Sequence, residues 1–325
     1  MKKVLVLALA IVLVLSSFAF ASCGSTAKYN VGIVQLQEHP ALDAATQGFM
    51  DALKAKLGDD VAFDKQNAQG STDTCATIVS TFVTKNVDLI MANATPALQA
   101  AQAATTTIPV LGTSITEYGV ALGIDNFTGT VGGNISGTSD LAPLDKQAQM
   151  VIDLVPTAKT VGLLYCSAEA NSEYQVKVVA EYLKDKGLTC KEYKFSDAND
   201  VQMIATNAAS ECDALYIPTD NTAATNAEAI WGAISDKKVP VIAGEQGICQ
   251  SCGIATLSID YYDLGYATGE MAAKVLTGEA DISTMAIEYT PEEKLAKLYN
   301  KTICTELGMD IAAIEALGFK AISAE

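Results

Sequence analysis

Short apolar runs alternate with amphipathic helical patterns along most of the chain. The first run, residues 29–36, predicts a strand, and the following segment 42–57 predicts a helix with Leu42, Phe49 and Leu53 on one face. Four such strands in order, separated by helices, predict a parallel sheet with helices on both faces. The later strands and helices of this series are predicted at residues 61–66, 71–85, 87–92, 97–105 and 108–112.

The same pattern restarts in the second half of the chain. A Gly-rich, helix-poor segment, residues 119–140, is expected to cross between two bodies, and it precedes a new strand at 161–165 and a helix at 173–186. The helix-ending glycines Gly58 and Gly187 stand at about the same distance from the first strand of their series. This spacing favours a duplicated α/β lobe.

Polar residues follow a buried strand in each half. The run 214–217 stops at Pro218 and continues with Thr219, Asp220 and Asn221, and the upstream run 88–92 continues with Asn93-Ala-Thr-Pro. Ligands of parallel sheets are held at the carboxyl ends of strands. Two equivalent strand ends therefore predict two equivalent lobes with a ligand site at these ends.

The N-terminus has the pattern of an export signal. Lys2 and Lys3 precede an apolar stretch, and Phe20-Ala-Ser-Cys23 matches a lipobox except that Phe20 stands where leucine is usual. We expect a signal peptide at 1–22, lipidation of Cys23 and a tether at 23–28, with plain secretion as the alternative. These features predict an extracytoplasmic protein that is lipid-anchored to the cell membrane. No later segment has 18 uninterrupted apolar residues, so the lipid is the only membrane anchor expected.

The charge balance narrows the classes of partner. Acidic residues outnumber basic ones by 38 to 21, and every basic residue is a lysine because the chain contains no arginine. This balance argues against binding to nucleic acid and against docking on an anionic membrane through charge. A ligand carboxylate must be held by lysine, hydroxyl groups or backbone N–H groups.

The residues do not assemble a standard catalytic or metal site. The chain has one histidine and lacks a nucleophile elbow, a phosphate loop and a metal-ligand cluster, so we expect no enzyme activity, no cofactor and no metal. Cys249 and Cys252 are the one close cysteine pair, and Gly247 and Gly253 predict that it lies in a turn. A local disulfide or an inert thiol pair is expected, with a thiol oxidoreductase or assisted metal binding as alternatives.

Six segments carry a likeness to a known family. They are Val31-Gly-Ile-Val-Gln with His39-Pro-Ala-Leu-Asp, Ala94-Thr-Pro-Ala with Ile108-Pro-Val, Gly133-Asn-Ile-Ser-Gly-Thr-Ser-Asp, Glu169-Ala-Asn-Ser, Tyr216-Ile-Pro-Thr-Asp-Asn, and Asp260-Tyr-Tyr-Asp-Leu-Gly. In this order, the whole mature chain resembles the type I substrate-binding proteins of ABC importers, most closely the branch associated with tryptophan or tyrosine uptake. It departs from the family pattern at 113–128 and 245–252, which both border the expected cleft.

The resemblance implies the periplasmic-binding-protein type I fold, an α/β fold of two Rossmann-like lobes joined by a three-crossover hinge. We place the crossings near 138–140, 259–261 and 282–286. The predicted lobes are 28–139 plus 260–281 for lobe 1, and 140–259 plus 282–325 for lobe 2.

The resemblance also implies a function. The expected protein is a monomeric lipoprotein that captures a small, aromatic amino acid by hinge closure and delivers it to an ABC permease and its cytoplasmic ATPase. Two alternatives stay open: an importer subunit for another small polar ligand, such as a branched amino acid or a nucleoside, and a sensor that feeds a signalling receptor.

An α-amino acid in such a cleft needs donors for its carboxylate and acceptors for its ammonium. The helix start after Ala94 and Thr95 is the expected carboxylate site. Asp220 is the favoured ammonium partner, with N-capping of the next helix as its alternative role. The hydroxyls of Thr138 and Ser139, the carboxylates of Glu169, Asp140 and Asp260, and the rings of Tyr261, Tyr262 and Tyr118 are further candidates.

His39 is expected at the rim or as a cap, and Trp231 in the core. The complete set of predicted ligand-binding residues is Gln35, Ala94, Thr95, Thr138, Ser139, Asp140, Glu169, Asn171, Ser172, Thr219, Asp220, Asn221, Glu245, Asp260 and Tyr261.

Overall fold

The computed structural model describes residues 27–322 of the chain. In this range the chain forms two α/β lobes, and each lobe contains one sheet. Helices cover both faces of each sheet, as the alternating pattern predicts. The predicted signal peptide and Cys23 lie outside the described residues.

Lobe 1 holds a sheet of six strands within the described range, and all of their pairings are parallel. The strands are β1 (Tyr29–Gln35), β2 (Val61–Asn67), β3 (Leu89–Asn93), β4 (Val110–Ile115), β5 (Ile135–Ser139) and β11 (Glu288–Tyr289), in the order β11-β5-β4-β3-β1-β2. The helices are α1 (Pro40–Leu57), α2 (Thr72–Lys85), α3 (Thr95–Ala104), α4 (Tyr118–Leu122) and α11 (Tyr261–Thr277).

The described part of lobe 2 holds a sheet of seven strands, parallel except where β12 runs antiparallel to β10. Its strands are β6 (Thr160–Cys166), β7 (Thr189–Phe195), β8 (Ala214–Ile217), β9 (Val241–Ala243), β10 (Ala255–Ser258), β12 (Ala296–Tyr299) and β13 (Lys320–Ala321), in the order β13-β12-β10-β9-β8-β6-β7. Its helices are α5 (Leu144–Leu154), α6 (Ala170–Asp185), α7 (Val201–Glu211), α8 (Asn221–Thr225), α9 (Ala227–Ile234), α10 (Gln246–Cys252), α12 (Lys301–Glu306) and α13 (Ile311–Ala316).

The chain passes between the lobes after β5, after β10 and again after β11. The third passage comes later than predicted, because β11 pairs with β5 and so keeps residues 282–289 in lobe 1. Ile282 and Ile287 are buried in the lobe 1 core for the same reason. The assignment of residues 282–289 to lobe 2 is therefore wrong.

Two local predictions also fail. The Gly-rich segment 119–140 contains strand β5, in which Gly137 (φ 145°) lies so close to β4 that a Cβ would be 2.1 Å from the Gly112 oxygen. The glycines there serve close strand packing as well as turns. Cys249 and Cys252 lie in helix α10 and not in a turn, because Glu245 caps that helix and Gly253 ends it.

Each sheet separates two apolar cores, and alternate residues of a strand point to opposite cores. In β6, Leu163 and Tyr165 pack on one side and Leu164 on the other. Trp231, predicted in the core, is only partly buried and packs against both cores of lobe 2.

Helices α1 and α11 cross closely in lobe 1. A Cβ on Gly265 would lie 1.9 Å from the Ala45 oxygen, and one on Gly48 would lie 2.1 Å from the Tyr262 oxygen. This contact joins the N-terminus of α1, which begins at Pro40 after His39, to the N-terminus of α11, which begins at Tyr261.

Candidate functional site

The strand ends of the two lobes face each other across a narrow cavity. The residues that line it come from the end of β4, from the loops after β1, β4, β5, β8 and β9, and from the first turns of helices α1, α6, α8 and α11. They are His39, Ala41, Leu42, Ser114, Thr116, Asp140, Asn171, Thr219, Asp220, Asn221, Ala224, Glu245 and Tyr261. This is the edge at which parallel sheets bind ligands.

Two side chains of lobe 1 reach across the cavity to lobe 2. Gln37 Nε2 donates to the backbone oxygen of Asn221 at 2.6 Å, and His39 Nε2 lies 3.2 Å from Asn221 Oδ1. The lobes are therefore closed over the cavity, and Asn221 accepts both contacts.

Four buried polar atoms of the lining have no hydrogen-bond partner among residues 27–322. They are Ser114 Oγ, Thr116 Oγ1, Asp140 Oδ1 and Asn171 Oδ1. An unpaired buried polar atom costs free energy, and native structures rarely leave several together without a ligand or water to pair them. Ser114 also has a strained backbone (φ 56°), which is typical of functional loops.

Asp140 offers the cavity one free carboxylate oxygen. Its Oδ2 accepts a hydrogen bond from the Tyr261 hydroxyl at 2.9 Å, and its Oδ1 is unpaired among the described residues. Burial raises the pKa of Asp140 to about 6, and the hydrogen bond from Tyr261 and the nearby Thr116 hydroxyl oppose that rise. The carboxyl is thus ionised at neutral pH, although a cationic partner would hold it ionised more firmly.

The cavity carries an excess of acidic groups. Asp140, Asp220 and Glu245 line it, His39 is its basic residue, and none of its lining residues is a lysine. Burial raises the pKa of the Glu245 carboxyl, and the charge of His39 opposes this rise. The balance favours a ligand with a cationic group.

Asp220 lies in the cavity wall, with both oxygens accepting backbone hydrogen bonds. Oδ1 accepts from Ala223 N and so caps α8, and Oδ2 accepts from Cys166 N, both at 2.7 Å. Burial, reinforced by the nearby Glu169 carboxylate, raises the pKa of Asp220. The capping role is observed, whereas the predicted ligand contact stays a prediction.

Glu169 joins the loop after β6 to the start of α8. Its two oxygens accept from the backbone N–H and side chain of both Asn221 and Thr222, at 2.7–3.0 Å. These bonds hold Asn221 in place, but Glu169 is not among the residues that line the cavity.

Several predicted ligand residues serve the fold next to the cavity. Asp260 caps α11 by accepting from Asp263 N at 3.0 Å, and Ser139 Oγ donates to Thr116 O at 2.8 Å. Thr138 pairs with Thr268 at 2.8 Å, and Gln35 Nε2 donates to Asp43 Oδ1 at 2.6 Å.

The predicted carboxylate site at Ala94 and Thr95 also lies outside the lining residues, as does Ser172. Thr95 Oγ1 is buried without a hydrogen-bond partner among residues 27–322, and Ala94 has a strained φ of 88°. Seven of the predicted residues do line the cavity, and these are Asp140, Asn171, Thr219, Asp220, Asn221, Glu245 and Tyr261.

Two of the three candidate aromatic rings lie elsewhere. Tyr118 is fully buried, its hydroxyl donates to Thr138 O at 3.1 Å, and its ring stacks on Phe127 with centroids 6.4 Å apart. Tyr262 is 39% exposed and donates to Asp51. Tyr261 alone of the three lines the cavity.

Ser114 and Thr116 are not among the ligand residues predicted from the sequence, and His39 is predicted at the rim or as a cap. Both hydroxyl residues follow the predicted strand 108–112, so the rule that ligands lie at strand ends could have selected them.

The thiols of α10 lie behind Glu245. Cys249 and Cys252 are fully buried, and burial raises the pKa of both thiols well above its usual value. All seven cysteines of the described range are free thiols. A buried thiol with a raised pKa is unsuited to nucleophilic redox chemistry, which disfavours the thiol oxidoreductase alternative.

Replacing Asp220 by alanine should lower the free energy of unfolding by about 2 kcal/mol, because α8 loses its cap and the buried N–H of Cys166 loses its acceptor. Urea unfolding of the empty protein measures this loss, and Asp220→Asn, which keeps one acceptor oxygen, should lose less. An unchanged midpoint together with a tenfold weaker ligand affinity would show that Asp220 acts on the ligand and not on the helix.

The chain is similar to known proteins over most of its length. A family model described as "ABC transporter substrate binding protein" matches residues 30–322. The chain is 38% identical over 266 residues to the tyrosine-binding protein of Clostridioides difficile (strain R20291), which covers 80% of this chain and 77% of that protein.

Two solved structures are similar to the chain over most of its length. The first, an ABC domain from Streptococcus pneumonia in complex with L-Trp, is 31% identical, covers 90% of this chain and 99% of that one, and gives a TM-score of 0.84. The second is the ligand-free, open structure of a Clostridium difficile substrate binding protein with adhesive properties. It is 36% identical, covers 91% of this chain and 100% of that one, and gives a TM-score of 0.68. The better match to the complex, despite lower identity, agrees with closed lobes.

Among residues 27–322, no helix is both long enough and apolar enough to cross a membrane.

Proposed function

The chain belongs to the family of ABC transporter substrate binding proteins, and from this premise we propose that it captures an aromatic L-amino acid between its closed lobes. The family binds substrates and carries out no reaction on them. The observation that carries the proposal is the free oxygen of Asp140 in a cavity with an excess of acidic groups and no arginine or lysine in its lining.

The unpaired atoms of the cavity match the two charged groups of an amino acid. The ligand ammonium would donate to Asp140 Oδ1 and Asn171 Oδ1, while its carboxylate would accept from the hydroxyls of Ser114 and Thr116. Each contact would pair an atom that is otherwise buried and unsatisfied. We therefore propose Asp140 as the partner of the ligand ammonium in place of Asp220, the residue favoured from the sequence. Asp140 has an unpaired carboxylate oxygen among residues 27–322, whereas both oxygens of Asp220 accept hydrogen bonds.

The aromatic character of the ligand rests on the relatives. One is a tyrosine-binding protein and another was solved with L-Trp, and both cover most of this chain. The ring of Tyr261 and the side chains of Ala41, Leu42 and Ala224 supply apolar surface to the same cavity. A branched amino acid or a nucleoside is the competing ligand class.

Thermal unfolding with a panel of ligands tests the proposal. With a dissociation constant on the order of micromolar, 1 mM L-tryptophan or L-tyrosine should stabilise the protein by about 4 kcal/mol. That corresponds to a rise in melting temperature of several degrees. L-Alanine is the matched control, because it has the same charged groups and no ring. Stabilisation by leucine or adenosine, with none by any aromatic amino acid, would contradict the ligand class.

We further propose that the protein acts outside the cytoplasm, held by a lipid on Cys23, as a monomer that passes its ligand to a permease and its ATPase. The family membership supports this assignment, and uptake of labelled tryptophan by cells that lack the protein tests it. If those cells take up tryptophan at an unchanged rate and the protein is found bound to a membrane receptor, the sensor alternative would be favoured.

A further inference from the structure

We propose that Tyr261 is a positioning residue: its hydroxyl turns Asp140 so that one carboxylate oxygen faces the ligand ammonium. This inference rests on the proposed function, because it concerns how Asp140 is prepared for that ammonium.

The hydrogen bond between these residues spans the hinge. Asp140 directly follows β5, where the chain first leaves lobe 1, and Tyr261 begins α11, where the chain returns to it. The hydroxyl and Asp140 Oδ2 are 2.9 Å apart, and both residues are buried. The contact therefore ties the carboxylate to a rigid helix next to the cavity.

The two oxygens of Asp140 have different surroundings. Oδ2 is engaged by Tyr261, and Oδ1 has no hydrogen-bond partner within residues 27–322. A carboxylate can rotate about its Cβ–Cγ bond, and one strong hydrogen bond fixes that rotation. Fixing Oδ2 on Tyr261 leaves Oδ1 as the oxygen presented to the cavity, where Asn171 Oδ1 is also unpaired.

The position of the phenol is itself fixed by packing. Tyr261 is the first residue of α11, and Gly265 one turn later touches the Ala45 backbone of α1. Tyr261 also belongs to an apolar cluster with Ala41, Ala45 and Ile259. The hydroxyl cannot follow Asp140 if that side chain turns away, so the bond holds one orientation.

The hydrogen bond also affects the ionisation of Asp140. Burial, and to a smaller extent the Glu245 carboxylate, raises the pKa of Asp140, whereas the Tyr261 hydrogen bond and the nearby Thr116 hydroxyl lower it. Tyr118 also lies near Asp140, and Asp220 and His39 are the other titratable groups of the cavity lining. Loss of the Tyr261 hydroxyl should therefore raise the pKa of Asp140 above about 6 and leave more of it protonated near neutral pH.

The test compares Tyr261→Phe with Tyr118→Phe by calorimetric titration of L-tryptophan at pH 6 and pH 8.5. Tyr118 is the matched control, because its hydroxyl is also buried and donates to Thr138 O at 3.1 Å, but it is not a lining residue. Tyr261→Phe should weaken binding by about tenfold at pH 6 and by clearly less at pH 8.5, where Asp140 is ionised in both proteins. Tyr118→Phe should change affinity less than about twofold at either pH.

Two results would overturn the positioning role. One is Tyr261→Phe with the affinity and pH dependence of the natural chain. The other is a loss at pH 6 that disappears completely at pH 8.5, which would show that the hydroxyl acts on the ionisation of Asp140 and not on its orientation. Titration of the Asp140 carboxyl by carbon NMR in the empty protein gives an independent readout, since its midpoint should rise in Tyr261→Phe and not in Tyr118→Phe. If the natural chain binds no amino acid, the proposed function fails, and this NMR shift still tests the Tyr261–Asp140 bond.

Discussion

An Asp140→Asn variant should bind L-tryptophan at least a hundredfold more weakly than the natural chain at pH 7.5. The ligand ammonium would lose the ionised acceptor whose free oxygen faces the cavity. Removing one partner of a buried charge pair costs about 3–5 kcal/mol, which corresponds to a factor of a hundred or more in affinity. Calorimetric titration measures the loss.

The empty variant should not be less stable. The pKa of Asp140 in the folded protein, about 6, lies above its ordinary value of 3.8, so folding favours the protonated form. The stabilising contribution of this group is complete below its unfolded pKa and is lost as the pH rises through about 6. Asparagine is neutral at every pH, so the melting temperature of Asp140→Asn at pH 7.5 should equal or exceed that of the natural chain.

Asp260→Asn is the matched control, because this exposed carboxylate also stands at a hinge crossing but caps α11. It should bind tryptophan as the natural chain does. If Asp140→Asn binds within threefold of the natural chain, the ammonium lies elsewhere, and Asp220 becomes the next candidate.

Gly265→Ala should lower the free energy of unfolding of lobe 1 by about 3 kcal/mol. The new Cβ would lie 1.9 Å from the Ala45 oxygen and 2.6 Å from its carbonyl carbon. Both atoms belong to the α1 backbone, which cannot move away as a side chain can. The two helices must separate, and the separation should also displace His39 and Tyr261 from the cavity.

Urea unfolding followed by circular dichroism measures the effect, with the midpoint compared at equal protein concentration. Gly232→Ala in α9 is the matched control, because its Cβ would meet no atom within 4 Å. Alanine there should stabilise by about 0.5–1 kcal/mol, since glycine is a poor helix former. Equal midpoints for Gly265→Ala and the natural chain would show that the helix crossing is looser than the structure indicates.

The α/β class and most strands could be predicted from the sequence, because apolar runs of the right length can be read locally. Strand β5 was missed because Gly137 there meets Gly112 of β4, a contact that a local pattern does not show. Helix α10 is absent from the prediction because Gly247 suggests a turn. In the structure the Glu245 side chain accepts hydrogen bonds from Gly247 N and Ile248 N, and so caps a helix that includes Gly247. The contact of β5 lies outside the local pattern, whereas the Glu245 cap lies within three residues of its donors and could have been predicted from the sequence.

The sequence by itself determined the two-lobe plan and the lack of arginine, and it predicted Asp140 and Asp220 at the carboxyl ends of the strands. Only the tertiary structure decided which of these carboxylates has an oxygen without a hydrogen-bond partner among residues 27–322. The two oxygens of Asp220 accept hydrogen bonds from Ala223 N and from Cys166 N, which is 54 residues away. Asp140 accepts through one oxygen from Tyr261, which is 121 residues away. Hydrogen-bond partners so distant along the chain are set by how the elements pack, and they leave no signal in a local pattern.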